Sequence, residues 1–145
     1  MGPVAQHLLI VGWHDGITEG FIQGHDGRWQ YASMVAWDPV QKLRIFAMVP
    51  ADELTVAEIR ALGATSAGGE AKATNWARIR ARISDFLQTV GGDIEIRVCD
   101  QLDGETKNTR RIVAAEVLGQ LDCTVEDAAM STRFAEWMTK FGTRD

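Results

Sequence analysis

The sequence predicts an α+β fold: a four-stranded antiparallel N-terminal meander plus a fifth strand, packed with about four helices. Three observations carry this. Residues 7 to 49 hold short apolar, partly β-branched runs separated by turn residues. From residue 55 onward the apolar residues recur mostly at helical spacing. One run in that second part, Asp93–Cys99, alternates strictly instead.

The first strand is His7–Trp13, followed by His14-Asp15-Gly16. Asp-Gly is a strong hairpin signal, because both residues tolerate the positive φ that tight turns need. Thr18–Gln23 forms the second strand, and Gly24-His25-Asp26-Gly27 the next turn. Trp29–Trp37 is the third strand, turned by Asp38-Pro39-Val40-Gln41. Leu43–Val49 is the fourth, interrupted by Pro50. Short connections make a meander the natural topology. Trp29, Tyr31, Val35 and Trp37 are assigned to one face, and Ala32, Met34 and Ala36 to the other. The strands are apolar on both faces, so cover on both is expected, from helices or from a second subunit.

Thr55 with Glu58 fits a capping box, starting a helix that stops at Gly63. Ala64–Gly69 is a small-residue loop. A long helix is expected from Thr74 to Val90, with Trp76, Ile79, Ile83, Phe86, Leu87 and Val90 as its stripe. Asp93–Cys99 reads as a one-sided edge strand and Asp100–Asn108 as a polar loop. Thr109–Leu121 reads as a helix, and a last helix, capped near Thr124, runs to Phe141. Neither half has a self-sufficient core, so residues 1–145 form a single domain.

Composition narrows the function. The chain has 145 residues, 46% hydrophobic and 24% charged, as ordinary globular domains do. The formal charge of −5 disfavours nucleic acid and anionic membranes as partners. The N-terminus lacks a basic cluster before an apolar stretch, and no apolar run is long enough to cross a bilayer, so a cytoplasmic location is expected. Cys99 and Cys123 lack metal-like spacing and read as reduced thiols.

No motif fixes a reaction. The two His-Asp-Gly tripeptides lie at opposite ends of one predicted hairpin, about 20 Å apart, too far to share an ion. Helical phosphohydrolases built on an His-Asp doublet need it inside helices, and these lie in turns. Gly12, Gly16, Gly20 and Gly24 recur every four residues without the Gly-Lys-Ser/Thr of a phosphate loop. With Ala64–Gly69 they would leave room for a small ligand. Asp100, Asp103 and Glu105 follow the fifth strand, where α/β sheets often hold a cation. Asp15, Glu58, Asp100 and Asp127 can be laid onto a ribonuclease-H-like scheme by topology alone. Arg78, Arg80 and Arg82 stud one helix and suit an acidic partner or local ion pairs. Trp13, beside His14 at a strand end, is the tryptophan expected at a surface.

The leading expectation is therefore a small soluble protein-interaction domain without catalytic activity. It would be an inhibitor, an immunity-type protein or an adaptor subunit, binding another protein or itself as a homodimer, without a cofactor. Trp13, His14, Arg78 and Arg82 are the candidate binding residues. The competing expectation is a divalent-metal phosphoesterase or nuclease holding magnesium or manganese on Asp15, Asp100 and Asp103.

Overall fold

The computed structural model describes residues 7–13, 16–24, 26–62, 76–102, 106–113, 121 and 127–141. Six strands form one sheet in sequential order: β1 (His7–Trp13), β2 (Ile17–Gln23), β3 (Trp29–Asp38), β4 (Leu43–Ala51), β5 (Asp93–Cys99) and β6 (Thr106–Val113). Every neighbouring pair is antiparallel. Helices α1 (Glu53–Ala61) and α2 (Trp76–Leu87) lie between β4 and β5 in the chain, and α3 (Asp127–Phe141) follows β6. The α+β class and the four-stranded opening meander stand. The described residues hold six strands and three helices rather than five and about four.

The difference lies at β6. Residues 109–113 form a strand, not the start of a helix. Thr106, Thr109, Ile112 and Val113 are β-branched and suit a pleated surface. Pairing with residues 106–113 also satisfies the row of backbone groups along β5 that would stay open if this segment were helical. Residues 114–120 of the expected helix lie outside the described set. It follows that β5 is an interior strand, with β4 and β6 on its two sides; β1 and β6 are the edges. Its alternation reflects one apolar face, Ile94, Ile96 and Val98, and one carrying the half-buried Glu95–Arg97 ion pair. β5, the strand that follows the helices and ends beside Asp100, runs antiparallel beside β4.

α1 starts earlier than the capping box implies. Asp52 is its N-cap, accepting a hydrogen bond from the Thr55 backbone N–H at 2.7 Å. Aspartate caps as well as threonine does, and the chain leaves β4 at Ala51 ready to turn. Thr55 is buried in the first turn, and Glu58 pairs with Arg82 of α2 instead of reaching back.

The core has two parts, one on each face of the sheet. The larger joins Leu9, Phe21, Tyr31, Ile45, Val49 and Ile96 to Val56 and Ile59 of α1, to Ile79, Ile83 and Phe86 of α2, and to Phe134 and Trp137 of α3. The smaller gathers Ile10, Ile17, Ile22, Met34, Phe46, Met48, Cys99 and Leu102 on the opposite face. Both faces are buried within one chain, with Phe46 and Met48 fully enclosed. The second face therefore needs no second subunit to exclude water from these residues.

A bulge in β3 changes one expected pairing of faces. The β3–β4 register shifts between Met34 and Ala36, so Val35 and Ala36 both reach the helix-covered core. The extra residue reverses the alternation beyond it. Trp37 consequently packs with Met34's face rather than with Trp29's.

Candidate binding site at one end of the sheet

In a sequential antiparallel sheet, the β1–β2, β3–β4 and β5–β6 connections emerge at the same end. Here that end is built into a cavity of about 420 Å³ lined by Trp37, Pro39, Lys42, Arg44, Asp100 and Gln101. Each wall has a local cause. The β3 bulge brings Trp37 round. Asp38 accepts a 2.9 Å hydrogen bond from the Val40 N–H, which tightens the turn and leaves Val40 85% exposed at its tip. Lys42 closes the turn with φ of 61°, the left-handed region that β-carbon sterics disfavour.

Arg44 is the deepest cation of the wall, 7% exposed within an otherwise apolar strand. Its Nη1 lies 3.5 Å from the Ile17 carbonyl and 3.5 Å from Met34 Sδ. These are long contacts, but they lay the guanidinium across β3 toward β2. After β5 the chain folds back over the same end. Asp100 Oδ1 accepts from the Gln101 N–H at 2.7 Å, Gln101 Oε1 receives the Ile17 N–H at 3.4 Å, and Leu102 enters the second core at 1% exposure. Gly16 fits this closure because it lacks a side chain. A β-carbon there would stand 2.6 Å from Gln101 Nε2 and 3.0 Å from Arg44 Nη2, and φ is +134°.

A second polar group is buried under α2. Glu19 accepts hydrogen bonds from the Tyr31 hydroxyl and from Arg80, on the helix-covered face. The Arg80 side chain is 24% exposed and that of Glu19 9%. Tyr31 also packs against Phe21 and Phe86 at ring-centroid distances of 5.2 and 6.0 Å. This arrangement ties α2 to the sheet.

The residues singled out from sequence fall in different places. Asp100 is in the cavity wall. Asp15, His14 and Asp103 lie outside the described residues, as does the side chain of Trp13, which ends β1. Their described neighbours Gly16 and Leu102 are packed at the cavity end. Arg78 is exposed on α2. Arg82 holds Glu58 Oε1 through Nε at 2.9 Å and Nη2 at 2.7 Å, and Nη2 also reaches the Thr55 hydroxyl at 3.1 Å. Among the described residues no three carboxylate, histidine or cysteine side chains come together as a metal would require. Sequence reasoning missed Trp37, Lys42 and Arg44. The available signal was Arg44, a lone charge in the run LRIFAMV.

No family model, curated protein or solved structure matches the chain.

Proposed function

We propose that the chain is a small non-catalytic protein-interaction domain, of inhibitor, immunity-type or adaptor kind, that meets its partner with the cavity end of the sheet. The observation that carries this reading is Val40, an apolar side chain 85% exposed at the tip of the β3–β4 turn beside the Trp37–Arg44 cavity. Tryptophan is among the residue types that dominate binding hot spots, and Trp37 lines the cavity beside this turn. The partner is another protein or a second copy of the chain. No described helix is long and apolar enough to cross a membrane.

The test is co-purification of the tagged chain from its host, followed by mass spectrometry and native mass measurement. A partner should be retained by wild type and by Ala135→Glu, on the exposed side of α3, and lost from Val40→Glu. If Arg78→Glu breaks the complex and Val40→Glu does not, the partner sits on the helical arginine face and the sheet-end placement is wrong.

One observation favours the metal-dependent phosphoesterase reading. Asp100 lines the cavity, and the described neighbours of Asp15 and Asp103 pack at that end. Under this reading magnesium or manganese raises the melting temperature of wild type, and Asp100→Ala removes the increase. An unchanged melting curve with both ions removes the reading.

A further inference from the structure

We infer that Trp37 is the specificity-determining residue of the sheet-end cavity, and that it donates its indole N–H to an uncharged amide carbonyl on the bound partner; this rests on the interaction reading above. Trp37 Nε1 is buried and has no hydrogen-bond partner among the described residues. An indole N–H can only donate, so nothing but an acceptor satisfies it. A buried donor left unpaired costs stability, and native folds retain few of them. Phenylalanine would fill much of the same space without that cost. The fold thus carries a donor that its own described residues do not use, on a side chain that lines a cavity of about 420 Å³.

The ring is placed so that it can turn outward. Trp37 as a whole is only partly buried, packed against the second core and lining the cavity at once. In the free chain its N–H is shut away from water, so an acceptor reaches it only when the ring rotates. That rotation breaks no hydrogen bond of the N–H to the described residues. β2 has also parted from β3 by this point: their pairing ends at Glu19 and Ser33, and Trp37 pairs with Arg44 of β4 alone. Rotation therefore costs side-chain packing and returns a hydrogen bond. Charge does not choose the ligand. Arg44 is already engaged with the Ile17 carbonyl and Met34 Sδ, and an anion would have to lose its water beside Asp100. The donor that is left over is neutral, and it suits a neutral acceptor. Pro39 and Val40, both exposed on the turn, give the apolar surface on which the residue next to that carbonyl rests.

The experiment follows indole and backbone N–H resonances by NMR. The probe is N-acetyl-leucine N′-methylamide, an apolar side chain flanked by uncharged carbonyls. In the free chain the Trp37 indole signal, identified by its loss in Trp37→Phe, should lie upfield, where an indole without an acceptor resonates. The probe should move it downfield saturably, together with the amide signals of residues 40–42. N-acetyl-leucine, with a carboxylate in place of the second amide, should bind more weakly. Two changes remove the N–H: Trp37→Phe, and replacement of the Trp37 indole by benzothiophene, which keeps the bicyclic ring if the smaller one disturbs the fold. Each should weaken the probe about two- to tenfold, the net contribution of a neutral hydrogen bond. The benzothiophene form should also keep a denaturant midpoint no lower than wild type. A Trp37 signal already downfield in the free chain, held by a trapped water or another acceptor, overturns the inference. So does equal probe affinity without the N–H, tighter binding of the carboxylate, or a lowered midpoint of the benzothiophene form. If Val40→Glu abolishes partner binding while the probe leaves the Trp37 signal in place, this inference falls and the interaction reading stands. If the probe binds through Trp37 but Val40→Glu leaves partner binding intact, the interaction reading falls and the cavity is a small-amide site.

Discussion

Lys42 is the one non-glycine residue at positive φ among the described residues, and it closes the β3–β4 turn at the cavity rim. A left-handed L-residue costs about 1–2 kcal/mol, part of which glycine returns through its freer unfolded chain. Lys42→Gly should therefore stabilise the fold by about 0.5–1 kcal/mol, read as a higher denaturant midpoint at unchanged slope. Asp52 makes the opposite kind of contribution. Hydrogen bonding from Thr55, its side chain first and its backbone N–H next, holds the Asp52 carboxyl below its ordinary value. The folded state thus favours the charged form. The resulting stability is present above the unfolded pKa and is lost as pH falls through the lowered folded value. Asp52→Ala should cost about 1 kcal/mol at neutral pH, the usual loss for an N-cap, and the gap to wild type should close in acid.

At the scale of elements, α2 is anchored to the sheet by Arg80 on Glu19 and to α1 by Arg82 on Glu58. The two ion pairs differ in worth. Glu58 has 48% of its side chain exposed, so breaking its pair should cost less than about 1 kcal/mol. Glu19 is enclosed, and Glu19→Ala would leave Arg80 partly buried without its carboxylate. The expected loss is about 2–4 kcal/mol by equilibrium unfolding, below the full penalty for a buried charge because Arg80 is a quarter exposed. These cross-element ties also mark where the sequence stops being legible. The opening meander reads directly, because its turns are local: Asp-Gly, Asp-Pro and the runs between them decide it. The helical stripes of α2 and α3 read directly too. β6 does not, because Ile112 and Val113 fit a helical period with apolar residues further along the sequence, and pairing with β5 overrides it over residues 109–113. The β3 bulge depends on cross-strand register, so the face of Trp37 was not legible either. Asp100 could be picked out by its place after a strand. The cavity it lines forms only when the chain after β5 meets the β3–β4 turn, a long-range event that local pattern does not encode.

For the molecule as a whole, the sheet is the shared wall of both cores, and its second face decides whether the chain stands alone. Phe46 is fully buried there, with Met34 opposite on β3 and Arg97 opposite on β5. Removing its ring from an enclosed site should cost about 3–5 kcal/mol. Phe86→Ala, between α2 and the other face, should cost a similar amount, and each variant should unfold in one transition if the two cores form one cooperative unit. The distinguishing measurement is dilution. Burial of Phe46 inside one chain makes the Phe46→Ala loss independent of protein concentration. If a second subunit supplied the cover, stability would follow mass action and fall by about 2.7 kcal/mol over a hundredfold dilution. Equal unfolding midpoints across that dilution, for wild type and for Phe46→Ala, are expected. A midpoint that drops on dilution would mean that the second face is closed by another copy. The sheet-end cavity would then have to be considered as part of a dimer rather than as the binding surface of a lone domain.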